Sequence, residues 1–154
     1  MPRRAFLSFS YDDTAQASGF NLLQWNPNVD FDFVGRHLLS KVDSENDDYI
    51  KSRIREEMHG TSMLICLIGQ TTHQSPWVDW EIREAMAQGK GILGIRLKGQ
   101  EGAPIPPALQ EAGANVIDWN PDAFGDEMEQ AALIANRPEL GPPPTRYASS
   151  GGCG

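Results

Sequence analysis

Continuous apolar runs alternate with stretches of helical periodicity along most of this chain. The clearest run, "SMLICLIG", predicts a strand that is buried on both faces. Four further segments predict strands: "RAFLSF", the short "FDFV", "GILGIRLK" and "NVIDW". Three segments have the apolar spacing of helices: "DDYIKSRIREEMHG", "SPWVDWEIREAMAQGKG" and "DAFGDEMEQAALIANR". The proline-broken "GAPIPPALQEAG" adds a short helix within a loop.

This alternation predicts an α/β fold, a flavodoxin-like three-layer sandwich with a five-stranded parallel sheet. In such sheets the ligand crevice lies beyond the carboxyl ends of the strands. Three stretches occupy that position: "SYDD" after the first strand, "GQTTHQSPW" after the apolar run and "KGQEG" after "GILGIRL". We expect the functional residues there.

The predicted domain covers residues 1–137, and the remainder differs in composition. Residues 138–154, "PELGPPPTRYASSGGCG", are rich in proline, glycine and serine, as is typical of disordered segments. We therefore predict one folded domain followed by a disordered tail.

The helix that begins in "SPWVDWEI" carries the most unusual side chains. Ser75 is the predicted N-cap and Pro76 the first helical residue. At about 100° per residue, Glu81 lies on the flank of the apolar stripe, one turn after Trp77, while Trp80 points outward. The predicted stripe consists of Val78, Ile82, Ala85, Met86 and Gly89. Two interpretations of the glutamate remain open: a solvated first-turn acid stabilised by the helix dipole, or a carboxylate bordering a crevice.

Composition narrows the function classes. The formal net charge of −8 disfavours a nucleic-acid partner, which needs a basic face. No apolar run reaches the roughly 18 residues that a membrane span needs, and no secretion signal is visible. Cys66 lies in the apolar run and Cys153 in the tail, so a disulfide is not expected. Reduced thiols suit a cytoplasmic protein.

Several other site types are disfavoured. Asp12 and Asp13 follow the first strand like the metal-binding acids of phosphoacceptor receiver domains, but "LICLIGQTT" lacks the phosphoacceptor aspartate and "NVIDW" the expected lysine. His37, His59 and His73 lack ligand spacing, so no metal site is expected. Glycine-rich nucleotide fingerprints and the GxSxG elbow are absent from the sequence.

Two motifs resemble Toll/interleukin-1 receptor (TIR) domains. "AFLSFSYDDT" is similar to their opening strand and loop, although Ser10 and Tyr11 replace the arginine and glycine of plant members. "WVDWEI" resembles the motif that carries the catalytic glutamate of enzymatic TIR domains, and Glu81 takes that place. The stretch from Arg3 to about Lys98 resembles the TIR-like proteins of bacterial Thoeris anti-phage defence. The matching residues of the first motif are Phe6, Leu7, Ser8, Phe9, Asp13 and Thr14.

The resemblance implies an activity and its residues. Enzymatic TIR domains cleave the nicotinamide–ribose bond of NAD⁺, and Thoeris members turn the ADP-ribose into a cyclic or conjugated signal for an effector protein. NAD⁺ would then be the substrate, with no separate cofactor, and Glu81 the catalytic residue. Ser10, Tyr11, Asp12 and Trp77 would bind the substrate.

The resemblance also leaves alternatives. Other TIR domains are catalytically silent interaction modules, and a nucleoside deoxyribosyltransferase would use a similar sandwich with a glutamate. Enzymatic TIR domains act as assemblies, so we expect self-association, with the outward Trp80 in the interface unless a loop of the same chain, such as residues 26–48, covers the ring. The sequence does not specify which product is made.

Overall fold

The computed structural model describes residues 3–21, 31–35 and 47–135. This part of the chain forms five strands and five α-helices, and all five predicted strands are present. The strands are β1 (Arg3–Ser8), β2 (Phe31–Gly35), β3 (Met63–Ile68), β4 (Gly91–Arg96) and β5 (Asn115–Ile117). The helices are α1 (Thr14–Asn21), α2 (Asp47–His59), α3 (Pro76–Ala87), α4 (Pro107–Ala112) and α5 (Pro121–Ala135). Single 3₁₀ turns at Tyr11–Asp13 and Thr72–Gln74 follow β1 and β3.

The strands form one parallel sheet in the order β2-β1-β3-β4-β5. This order confirms the predicted flavodoxin-like class. After β1 the chain adds β2 on one side and then β3 on the other, so the topological switch point lies between β1 and β3. Ser8, the last residue of β1, is paired there with Cys66. Ligands of such sheets bind beyond the carboxyl ends of the strands at this point.

Helices cover both faces of the sheet, and β3 supplies apolar side chains to each. Its residues Met63, Ile65 and Leu67 pack with α1 and α5, whereas Leu64, Cys66 and Ile68 pack with α2, α3 and α4. All six residues of β3 are buried. The unbroken apolar run of the sequence therefore reflects burial on two faces.

Helix α3 begins as its sequence predicts, because the Ser75 side chain accepts a hydrogen bond from the Val78 N–H at 3.3 Å and Pro76 is the first residue. Val78, Ile82 and Ala85 of the predicted stripe are fully buried. Met86 and Gly89 were expected in the stripe too, but both are exposed, Met86 by 38%. Met86 lies about 80° from Val78 around the helix, beyond the width that the sheet covers.

Some predictions concern residues that the structure does not describe. The boundary at residue 137, the predicted tail over 138–154 and Cys153 all lie outside the described residues. In the part of the chain that is described, none of the helices has the length and apolarity needed to cross a membrane.

Candidate active site

Glu81 lies inside the protein, at the switch point of the sheet. Its side chain is 0% exposed, and its Oε1 accepts a 2.7 Å hydrogen bond from the Ser8 hydroxyl at the end of β1. The sequence predicted that this glutamate borders the core, but the structure places it inside the core. Helix α3 contacts β1 as well as β3 and β4, so the flank that carries Glu81 also faces the sheet.

Cys66 is the strand neighbour of Ser8 and is likewise fully buried. Burial raises the pKa of the Cys66 thiol, and the negative charges of Glu81 and Asp13 raise it further. A thiol of this kind stays protonated at neutral pH, so it is neither a nucleophile nor a metal ligand in this state.

Hydrogen bonds join the loops that follow β1, β3 and β4. The Thr71 hydroxyl donates to Asp12 Oδ2 at 2.7 Å and lies 3.1 Å from the Ser10 hydroxyl. The Gln70 side-chain amide donates to the Gln100 side-chain oxygen at 2.8 Å. The three stretches that the sequence assigned to the crevice therefore meet at one edge of the sheet. Ser10 is buried within this contact.

Asp13 packs against the backbone at the end of β3. A side chain at Gly69 would overlap the Asp13 carboxylate, so only glycine permits this approach. The Thr72 hydroxyl accepts from the Gly69 N–H at 2.8 Å and lies 3.5 Å from Asp13 Oδ2. Burial raises the pKa of Asp13, and the neighbouring charge of Asp12 adds to this effect. The sequence did not reveal this contact, because it joins two loops that are distant along the chain.

Tyr11 and Trp77 differ in how the structure places them. The Tyr11 side chain is 71% exposed in the turn after β1, so the structure does not bring its ring into the buried site. Trp77 is partly buried at the start of α3 and packs on the same core cluster as Val78. Of the predicted substrate-binding aromatic residues, only Trp77 is already packed on the face of the sheet that holds Glu81.

Trp80 does not point into solvent, which corrects the prediction of an outward ring. The ring is partly buried, and Lys51 Nζ and Arg55 Cζ of α2 lie 5.6 and 5.3 Å from its centroid. Trp77 contacts it in a T-shaped arrangement with 6.2 Å between ring centroids. The helical count gave the direction of the ring, but α2 packs on that side and covers it. Arg55 also forms an ion pair with Glu84 of α3 at 3.2 Å.

Comparison with protein families assigns the domain. The family model for the TIR-like domain of Thoeris protein ThsB matches residues 6–102. The chain belongs to this family. The match extends from β1 past β4, so it includes the Ser8–Glu81 pair and the loops around it. The protein is thus a TIR-like protein of the Thoeris anti-phage type, and TIR-like domains include members that cleave NAD⁺. A search of curated proteins finds no match.

Proposed function

We propose that this TIR-like protein cleaves the nicotinamide–ribose bond of NAD⁺ and that Glu81 is the catalytic carboxylate. The observation that supports this most is the placement of a fully buried carboxylate at the switch point of a parallel sheet. A buried carboxylate lowers stability unless other groups compensate for its lost hydration. A functional requirement accounts for its presence in a layer that is apolar around it apart from its partner Ser8.

The chemistry requires few groups. Nicotinamide is a cationic leaving group in NAD⁺ and departs as a neutral base, so no general acid is needed. Its departure leaves an oxocarbenium-like ribose, as in glycoside hydrolysis. A fixed carboxylate beside the ribose hydrogen-bonds its hydroxyls and stabilises the positive charge that develops. One glutamate therefore suffices, whereas most glycosidases use two carboxylates.

Substrate access requires movement, because Glu81 is fully buried in this structure. The hydrogen bonds between Ser10, Asp12 and Thr71 join the two loops at this edge of the sheet. We propose that these bonds open when NAD⁺ enters and that Ser10 and Asp12 then bind the substrate, a gating step of a kind common in enzymes. The exposed Tyr11 ring is free of the core and available to close over the ligand.

Trp77 is proposed to form a wall beside the nicotinamide-side ribose. A wall that excludes water disfavours hydrolysis and favours attack by the ADP-ribose itself or by another nucleophile. The product would then be a cyclic or conjugated ADP-ribose signal that activates an effector protein in anti-phage defence. In this proposal NAD⁺ is the substrate, the protein needs no cofactor, acts in the cytoplasm and self-associates.

The full burial of Glu81 also supports a second candidate, a catalytically silent TIR-like interaction module. In that case the Ser8–Glu81 bond would be a structural contact within the core. Purified protein incubated with NAD⁺, with deoxynucleosides supplied in parallel, separates the possibilities by chromatography and mass spectrometry. We expect nicotinamide release in step with NAD⁺ loss, and none with Glu81→Gln. Unchanged NAD⁺ at stoichiometric protein would support the silent module, and base exchange between deoxynucleosides would indicate a deoxyribosyltransferase.

A further inference from the structure

Ser8 is a polar residue at a position where the strand pattern calls for an apolar one. Ala5 and Leu7 of β1 face the core layer that contains α1 and α5, whereas Phe6 faces the layer that contains α3. Side chains alternate along a strand, so Ser8 shares the face of Phe6. It is 0% exposed, and its strand neighbour Cys66 belongs to the same apolar layer.

A buried hydroxyl lowers stability unless it is hydrogen-bonded. Ser8 donates to Glu81 Oε1 at 2.7 Å, the length of a strong O–H···O bond. The two residues are 73 positions apart in sequence, so the bond joins β1 directly to α3 across the switch point. Both partners are fully buried, which removes competition from water.

We propose that Ser8 is the positioning residue of Glu81: its hydroxyl fixes the carboxylate in the orientation that meets the ribose. This inference rests on the proposed function. Strand β1 is paired with β2 as far as Leu7 and with the central strand β3 as far as Ser8, so Ser8 is attached to the middle of the sheet. A glutamate side chain has several rotatable bonds, and a donor on a rigid strand restricts them before the substrate arrives.

A merely structural bond would give the same geometry, so the test compares two buried hydroxyls. Thr61 is the matched control because it is also buried and donates to the Met58 carbonyl at 2.6 Å. It lies just before β3, at the end of the strands opposite to Ser8. We expect Ser8→Ala to lower kcat for NAD⁺ about tenfold to a hundredfold, with KM changed by less than about threefold, by analogy with residues that orient catalytic ligands. Thr61→Val should leave both constants unchanged. If Ser8→Ala turns over like Thr61→Val, the positioning role is refuted.

A second measurement does not depend on catalysis. Denaturant unfolding of Ser8→Ala, Glu81→Leu and the double variant measures the coupling between the two side chains. We expect Ser8→Ala to lower the unfolding midpoint of the wild type but not that of Glu81→Leu. Additive shifts would refute the contact, even if Glu81 proved catalytic. Coupling without any NAD⁺ cleavage by the wild type would refute the proposed function, and the positioning role with it.

Discussion

Replacing Glu81 by glutamine should separate activity from stability. Glutamine has nearly the same volume and keeps a side-chain oxygen that can accept the 2.7 Å bond from Ser8. The change removes a charge from a site that is 0% exposed. Because glutamine fills the same space and keeps the bond from Ser8, we expect the free energy of unfolding to fall by no more than about 1 kcal/mol. For a chain of this size, that limits the loss in melting temperature to roughly 4 °C.

Activity should respond very differently. Without the carboxylate, the positive charge that develops on the ribose loses about 4 kcal/mol of stabilisation, which corresponds to about a thousandfold in rate. Nicotinamide release measured by chromatography, beside thermal unfolding of the same samples, provides both values. Glu84→Gln is the control. This variant should keep normal turnover. It loses the ion pair with Arg55, which contributes at most about 1 kcal/mol to the free energy of unfolding. Near-normal turnover by Glu81→Gln would contradict the catalytic role of Glu81. If the melting temperature falls by more than about 10 °C, misfolding would explain any lost activity.

Three further predictions concern packing. Gly91→Ala should lower the melting temperature by roughly 10 °C, because the new Cβ would overlap the Ala131 carbonyl of α5. The control is Gly19→Ala, whose new Cβ would meet no atom within 4 Å, so the melting temperature should stay unchanged or rise slightly. Trp80→Ala should lower the free energy of unfolding by about 3 kcal/mol equally at all protein concentrations, since the Trp80 ring joins α2 to α3 within one chain. A loss of stability that depends on protein concentration would instead support a role of Trp80 in self-association. Because burial raises the pKa of Cys66, a thiol reagent at pH 8 should label this residue only after unfolding, and rapid labelling of Cys66 in a native Cys153→Ser variant would contradict this.

Much of the fold could be predicted because its signals are local. The apolar run of β3 and the Ser75-Pro76 start of α3 each specify their element through a few neighbouring residues. The alternation of strands and helices then restricts the sheet to a parallel one, and the resemblance in two motifs indicates the TIR-like class. The family match over residues 6–102 agrees with both.

The details of the candidate site required the tertiary structure. Helical periodicity gives the direction of Glu81, Trp80 and Met86 around α3, but not what lies in each direction. The flank of Glu81 is closed by β1 and that of Trp80 by α2, while the side of Met86 stays open. Ser8 illustrates the limit best, since a serine within an apolar strand is a visible anomaly whose partner is 73 residues away.

The sequence by itself determined all five strands, four of the five described helices and the edge of the sheet where the loops after β1, β3 and β4 meet. Those features follow from hydrophobic period and capping, which act over a few residues. Only the tertiary structure decided that Glu81 is buried, that Ser8 donates a hydrogen bond to it and that Trp80 is covered by α2. Burial and pairing depend on how whole elements pack against one another, and distant residues meet only after the sheet has assembled.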